Sequence, residues 1–116
     1  MAEFLLLFRG GDQHNANQSP EQMQAHMQKW VQWMGDLSKQ GKMIGAQPLA
    51  NSGKTVKGTK KVVSDGPFAE GKEMVGGYLV CKADTIEEAV EISKGCPILV
   101  FEGGVVEVRP IQEMSM

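Results

Sequence analysis

The stretch EFLLLFR, residues 3–9, holds five consecutive apolar residues between two charged ones. A strand with one face in water alternates apolar and polar side chains, whereas an uninterrupted apolar run is typical of a strand covered on both faces. The run follows an acidic residue and is far too short for a signal peptide or a membrane span. We therefore expect it to form a strand that is covered on both faces.

A long amphipathic helix is predicted after the polar loop that follows this strand. Ser19 is a suitable N-cap, Pro20 suits the first helical position, and Gln22 stands where a capping box requires it. Apolar side chains then recur every three or four residues, as expected for one helical face: Met23, Met27, Trp30, Met34 and Leu37. Gly41 favours the left-handed conformation that commonly ends a helix, so the helix is placed at about 20–40.

The remaining chain predicts further strands and one more helix. The strand regions are residues 42–50, broken near Pro48; a lysine-rich strand pair around Gly58 within 51–64; residues 73–82; and a final strand at 105–109. The second helix begins after Asp84 or Thr85, with Glu87 or Glu88 placed to complete a capping box, and it ends at Gly95-Cys96-Pro97. Its buried face is predicted to comprise Ile86, Ala89, Val90 and Ser93.

This order of elements, β-α-β-hairpin-β-α-β, predicts one α+β domain over residues 1–116. Split βαβ units of this kind form a ferredoxin-like antiparallel sheet with both helices on one face. The other face would then expose the apolar side chains of the first strand and of residues 75–80. Soluble monomers avoid large apolar patches, so we expect a homodimer that packs sheet against sheet.

Composition excludes several classes of function. The formal net charge is −2, and no aromatic residues interleave with the lysines at positions 54, 57, 60 and 61, so no nucleic-acid partner is expected. Cys81 and Cys96 lie outside any metal-binding or redox spacing, which favours reduced thiols in the cytoplasm. Neither a membrane partner, a cofactor nor a metal is predicted.

The segment SDGPFAEGKEMVGGYLV, residues 64–80, combines a turn with a glycine-containing strand. Asp65-Gly66 is a strong turn signal, and Pro67 forces the preceding residue out of the helical region. Gly76-Gly77 inside a strand is usually explained by a bulge or by the close approach of another backbone. We interpret the segment first as a rigid turn and second as the edge of a pocket.

The motif DGPFAEGKEMVGGYLV, with the helix SPEQMQAHMQKWVQWM and the ending VEVRPI, resembles the DGPF branch of the YCII-related domain family. The similarity runs from the FLLLF strand to Ile111. It implies a dimeric α+β barrel. Many members of the family have no known activity, some occur near or fused to extracytoplasmic-function sigma factors, and at least one relative is a dehydrochlorinase of a chlorinated, hydroxylated aromatic.

The resemblance also implies a His–Asp pair in the short YCII branch. His26 matches the histidine position, whereas the aspartate position falls at Cys96, before Pro97, so that a thiol replaces the acid. Asp65 of the turn is a candidate substitute for that acid. A histidine titrates near neutral pH and suits general acid or base catalysis, although a boundary histidine bonded to a neighbour is the simpler alternative.

These observations predict a small enzyme acting on a modest organic molecule. His26 would be the acid or base, Asp65 would orient it or bind substrate, and the pocket would lie between the first helix and the sheet. Its predicted substrate-binding residues are Trp33, Phe68, Lys72 and Tyr78. Two alternatives remain open: a ligand-binding or regulatory dimer without catalysis, linked to sigma-factor-dependent transcription, and a protein-interaction module.

Overall fold

The computed structural model describes residues 2–10, 19–50, 52–66 and 74–113. Phe68 and Lys72, predicted to bind substrate, lie outside the described residues. In chain order the described elements are β1 (Ala2–Arg9), α1 (Pro20–Lys39), β2 (Met43–Pro48), β3 (Lys54–Lys57), β4 (Val62–Asp65), β5 (Val75–Ala83), α2 (Ile86–Ser93), a 3-10 helix (Pro97–Val100) and β6 (Val105–Pro110). Neither helix in these ranges is long and apolar enough to cross a membrane.

Four strands form the main sheet in the order β2-β5-β1-β6, and every neighbouring pair is antiparallel. The apolar strand β1 therefore lies inside the sheet, hydrogen-bonded to β5 on one side and to β6 on the other. In this order each helix connects two strands that are parallel to each other and separated by a third strand: α1 joins β1 to β2, and α2 joins β5 to β6. Such split βαβ units are ferredoxin-like. The predicted α+β fold class is confirmed.

The two faces of the sheet differ in burial. Alternation along β1 buries Phe4, Leu6 and Phe8 on the helix side, while Leu5 and Leu7 on the other side are half-buried. The buried apolar core comprises Phe4, Leu6, Phe8, Leu37, Leu79, Cys81, Ala83, Ala89, Cys96 and Ile98. We call the second side of the sheet the open face; it carries Leu5, Leu7, Tyr78 and Val80, with Glu3, Lys82, Glu107 and Arg109 around them.

Helix α1 begins as predicted. The Gln22 backbone N–H donates to Ser19 Oγ at 3.1 Å, and the Ser19 backbone N–H donates to Gln22 Oε1 at 2.9 Å, which completes the capping box. Gly41 follows the helix with φ +70°. The predicted apolar face is only partly buried, because Met23 and Met27 remain 46% and 64% exposed while Leu37 is buried. The C-terminal half of α1 thus packs on the sheet, and the N-terminal half leaves space beneath it.

Helix α2 is capped by Thr85, whose Oγ1 accepts from the Glu88 backbone N–H at 3.2 Å. Ala89 and Ser93 are buried as predicted, but Ile86 and Val90 are 40% and 37% exposed, so this part of the predicted face was wrong. A helix of two turns presents only a narrow stripe to the sheet.

The 3-10 helix that follows was not predicted. Pro97 occupies its first turn, where a missing N–H costs nothing.

Strands β3 and β4 form a separate two-stranded sheet, as the sequence around Gly58 predicted. Gly58 has φ +75°, and the Lys54 ammonium donates to Asp65 Oδ1 at 2.7 Å across the strands. Val56, Val62 and Val63 are all more than half exposed. An isolated two-stranded hairpin is marginally stable in water, so this pair gains little from its own side chains.

Candidate functional site

A cavity of about 380 Å³ lies beneath the N-terminal half of α1. This volume is in the range of small-molecule sites. Its described lining is almost entirely apolar or aromatic and comprises Phe8, Met23, His26, Met27, Trp30, Met34, Ala46, Gln47, Pro48, Met74, Gly76, Gly77, Tyr78, Ile98 and Phe101. No lysine, arginine or carboxylate belongs to this described lining.

Aromatic rings hold the helix above the sheet at the inner end of the cavity. Phe8, on the helix side of β1, meets the Trp30 ring edge to face with centroids 5.0 Å apart, and it meets Trp33 at 6.1 Å. Trp30 and Trp33 also contact each other edge to face, at 5.8 Å. Such pairs add packing energy beyond their buried area and prefer these angles. They fix the orientation of α1 over the cavity.

His26 lies one helical turn before Trp30 on the same side of α1. The indole Nε1–H of Trp30 donates to His26 Nε2 at 3.0 Å. On its other side, the imidazole packs against Phe101, which follows the 3-10 helix, with ring centroids 5.0 Å apart. The imidazole is therefore held between α1 and the chain after α2, at the wall of the cavity.

The environment of His26 favours its neutral form. Burial lowers its pKa from the usual value of 6.5, and the positive charge of Lys29 lowers it further. At neutral pH the imidazole therefore carries one proton and one lone pair. This is the form that a general base or a hydrogen-bond donor requires.

The glycines on β5 make room for the cavity and for the close approach of the neighbouring strand β2. A Cβ on Gly77 would lie 3.0 Å from the Gln47 carbonyl oxygen of β2 and 3.6 Å from the Phe8 ring. Opposite these glycines, the register of β1 against β5 shifts between Phe8 and Arg9. The close backbone approach and the bulge that the sequence left as alternatives thus both occur here.

Two of the predicted site residues meet the cavity. His26 lines it with its imidazole ring. Tyr78 also belongs to the lining, but alternation along β5 directs its side chain to the open face, opposite to buried Leu79. We therefore expect the Tyr78 main chain, and not its ring, to meet a ligand.

The other described candidates lie elsewhere. Trp33 lines a separate, more open groove with Lys29, Asp36 and Cys96, and its ring packs against Gly95. Asp65 lies at the end of β4, where its largely exposed carboxylate binds Lys54, and it is not among the residues that line the cavity. The geometry brings His26 next to Trp30, not next to Asp65.

Neither cysteine has the properties of a nucleophile. Both are free thiols, and both are buried. Burial raises the pKa of Cys96 to about 12, and it also raises the pKa of Cys81. A thiolate is the reactive form, so both groups are inert near neutral pH. Within the described residues, no three His, Cys, Asp or Glu side chains cluster in a way that could hold a metal ion.

Sequence reasoning missed Trp30 and Phe101 as the neighbours of His26. Trp30 carries a usable signal, because residues four apart on a helix lie on the same face and an indole donates a hydrogen bond. The contact with Phe101 has no local signal. It depends on the unpredicted 3-10 helix, which returns the chain from α2 to α1.

Comparison with known proteins identifies the family. Residues 3–115 match the YCII-related domain, so the chain belongs to the YCII-related domain family. No curated protein matches the chain in sequence. Among solved structures, it is similar to 5-chloro-2-hydroxyhydroquinone dehydrochlorinase (TftG) from Burkholderia phenoliruptrix AC1100, which was solved in complex with 2,5-dihydroxybenzoquinone. The identity is 16%, the match covers 97% of this chain and 95% of that chain, and the TM-score is 0.49. At this similarity, nothing about activity is transferred.

Proposed function

We propose that this protein is an enzyme that acts on a small organic molecule bound in the cavity beneath α1, with His26 as the acid or base. One observation carries the proposal: His26 is the described lining residue whose ordinary pKa lies near neutrality, and it stands in a cavity that is otherwise apolar. A single polar group in an apolar cleft orients a ligand and exchanges protons with it.

The other predicted site residues enter the proposal with different support. The main chain of Tyr78 is available to a ligand, and Trp33 supports the ring cluster behind Trp30. Phe68 and Lys72 follow the turn at Asp65 in sequence and precede Met74, which lines the cavity, so we keep them as substrate-binding residues. Asp65 as the orienting or substrate-binding acid stays a prediction; its carboxylate is bound to Lys54.

The test is a turnover screen followed by substitution. A panel of small organic molecules is incubated with the protein, and products are detected by mass spectrometry. For any accepted substrate, we expect His26→Gln to reduce kcat by roughly 100-fold or more, as is common for the loss of an acid–base group. His14→Gln, which removes the other histidine, is the control and retains turnover. Unchanged turnover in His26→Gln removes His26 from the chemistry.

The alternative is a small-molecule-binding or regulatory dimer without catalysis. The observation that favours it is that the basic nitrogen of His26 already accepts a hydrogen bond from Trp30. In addition, the described residues include no cysteine with a lowered pKa. Saturable binding of a metabolite without any product in the same screen supports this alternative over the enzyme.

We also propose that two copies associate through their open faces and that the protein belongs to the DGPF branch of the family. The open face has an apolar centre, Leu5, Leu7 and Val80, with charged residues around it, which is the usual composition of a protein interface. The sequence Asp65-Gly66-Pro67-Phe68 supports the branch assignment. Two free, buried cysteines are consistent with a cytoplasmic location.

A further inference from the structure

The hydrogen bond between Trp30 and His26 has a fixed direction. An indole nitrogen only donates, so His26 Nε2, 3.0 Å from Trp30 Nε1, must accept with its lone pair. A neutral imidazole has one N–H and one lone pair. The proton of neutral His26 therefore lies on Nδ1, and within the described residues no other hydrogen bond of the ring occurs.

We infer that Trp30 is a positioning residue that holds His26 in the Nδ1–H tautomer, so that His26 meets a ligand as a hydrogen-bond donor to an acceptor oxygen. Carbonyl, carboxylate and hydroxyl groups all carry such an oxygen. Proton uptake at Nε2 then requires the bond from Trp30 to break first. The ligand part of this inference rests on the proposed function, whereas the tautomer does not.

The surroundings of the ring are consistent with this assignment. Phe101, after the 3-10 helix, packs on the ring and is uncharged, and the other described residues that line the cavity carry no charged side chain. Among the described residues, Lys29 on α1 is the charged group that acts on the ring, and it opposes protonation. A protonated His26 would direct an N–H toward the indole N–H of Trp30, which is repulsive. The same bond therefore disfavours the cationic form.

The donor to His26 comes from the same helix as His26 itself. Residues 26 and 30 are four apart, so the donor is delivered by the helix itself and needs no other element. Trp30 is in turn fixed by its edge-to-face contacts with Phe8 and Trp33. The β1 strand thereby orients His26 through one intermediate ring.

The test is ¹⁵N NMR of the histidine side chains, which does not need a substrate. Long-range ¹H–¹⁵N correlation spectra are recorded on uniformly labelled protein near pH 7.5, with His14→Gln used to assign the His26 signals. We expect a pyrrole-type shift for His26 Nδ1 and a pyridine-type shift for Nε2. The opposite pattern, or averaged shifts for both nitrogens in the wild-type protein, overturns the inference without any variant.

Two variants then test whether Trp30 is the residue that holds His26 in the Nδ1–H tautomer. Trp30→Phe keeps an aromatic ring but removes the donor; we expect the Nε2–H tautomer to gain population and the pKa of His26 to rise. Trp33→Phe is the matched control, because it removes an indole from the same ring cluster but keeps the hydrogen bond to His26. We expect it to leave the tautomer populations and the pKa of His26 unchanged. Equal shifts in the two variants overturn the assignment to Trp30. A correct tautomer in a protein without turnover contradicts only the enzymatic proposal.

Discussion

At the scale of single residues, the cavity depends as much on absent side chains as on present ones. Gly77 of β5 is paired with Phe8 of β1, and both lie on the helix side of the sheet. The Gln47 carbonyl oxygen of β2 lies close to the position that a Cβ at residue 77 would take. A side chain at position 77 would enter both the cavity and the contact between β2 and β5. Gly45, on the facing strand β2, has no atom near its potential Cβ.

Replacing Gly77 with alanine is therefore expected to destabilise the protein. The added Cβ would lie 3.0 Å from the Gln47 carbonyl oxygen, which is backbone and cannot move freely. Overpacking of this kind costs about 1–3 kcal/mol, measured as the free energy of unfolding in urea. Gly45→Ala is the control, with an expected gain of up to about 1 kcal/mol. If Gly77→Ala and Gly45→Ala changed the free energy of unfolding equally, the close contact between β2 and β5 would not be the reason that position 77 requires glycine.

The residue scale is also where the sequence was least informative about the site. His26 was identified from its chemistry, from its place beside the apolar helical face and from the histidine position that the family resemblance implies. Asp65 was the candidate partner because the resemblance to the YCII-related family implies an acid beside the histidine, and Cys96 stands at the position of that acid. The observed partner is Trp30, which had been assigned to the apolar face. An amphipathic side chain can pack and donate at once, and an apolar periodicity does not distinguish the two roles.

At the scale of elements, α1 determines the site because it carries four of the groups that line the cavity around His26. Its N-terminal half is not packed on the sheet, as the exposure of Met23 and Met27 indicates. That half therefore depends on local interactions, and the capping box of Ser19 and Gln22 is the clearest of them. Helix ends without such partners leave backbone N–H groups unsatisfied.

Ser19→Ala tests this dependence on the cap. The substitution removes the acceptor of the Gln22 N–H, and we expect the free energy of unfolding to fall by about 1 kcal/mol. Ser19→Asp keeps an acceptor and favours the helix N-terminus, so it should retain most of the stability. Urea denaturation followed by circular dichroism measures both. A Ser19→Ala protein as stable as the wild type would mean that tertiary contacts alone hold this end of α1.

Elements were the most predictable level of the structure. The capping box, the helical periodicity and the hairpin around Gly58 are each local patterns, and each appears where the sequence placed it. The 3-10 helix after Cys96 was missed because a single turn has no periodicity to detect. The burial of Ile86 and Val90 on α2 was overestimated for a similar reason. The spacing of apolar residues shows which side of a helix faces the core, but it does not show how wide the buried stripe is.

At the scale of the whole molecule, the main feature is the open face, which no helix of the described chain covers. Leu5, Leu7 and Val80 form its apolar centre and are only half-buried in the single chain. The apolar run in β1 predicted cover on both sides, and the helices supply one side only. A second copy with the same face supplies the other in the homodimer that we propose.

Sedimentation velocity at micromolar concentration tests the proposed dimer. We expect the wild type to sediment with twice the mass of one chain, and Leu5→Glu to sediment as a folded monomer. In the monomer, the new carboxylate lies opposite Arg109 on β6 and is tolerated, whereas in the dimer it would be buried. Val31→Glu, on an exposed part of α1, is the control and stays dimeric. A folded wild-type monomer would contradict the proposal.

The most direct test of the cavity as the functional site is NMR of the methionine methyl groups during a fragment screen. Met23, Met27, Met34 and Met74 line the cavity, whereas Met43 packs against the core outside it. With ¹³C-methyl-labelled methionine, we expect binding fragments to shift the four cavity signals saturably and to leave Met43 unchanged. Fragments that shift Met43 alone, or a complete screen in which no fragment shifts the cavity signals, would contradict a ligand site beneath α1.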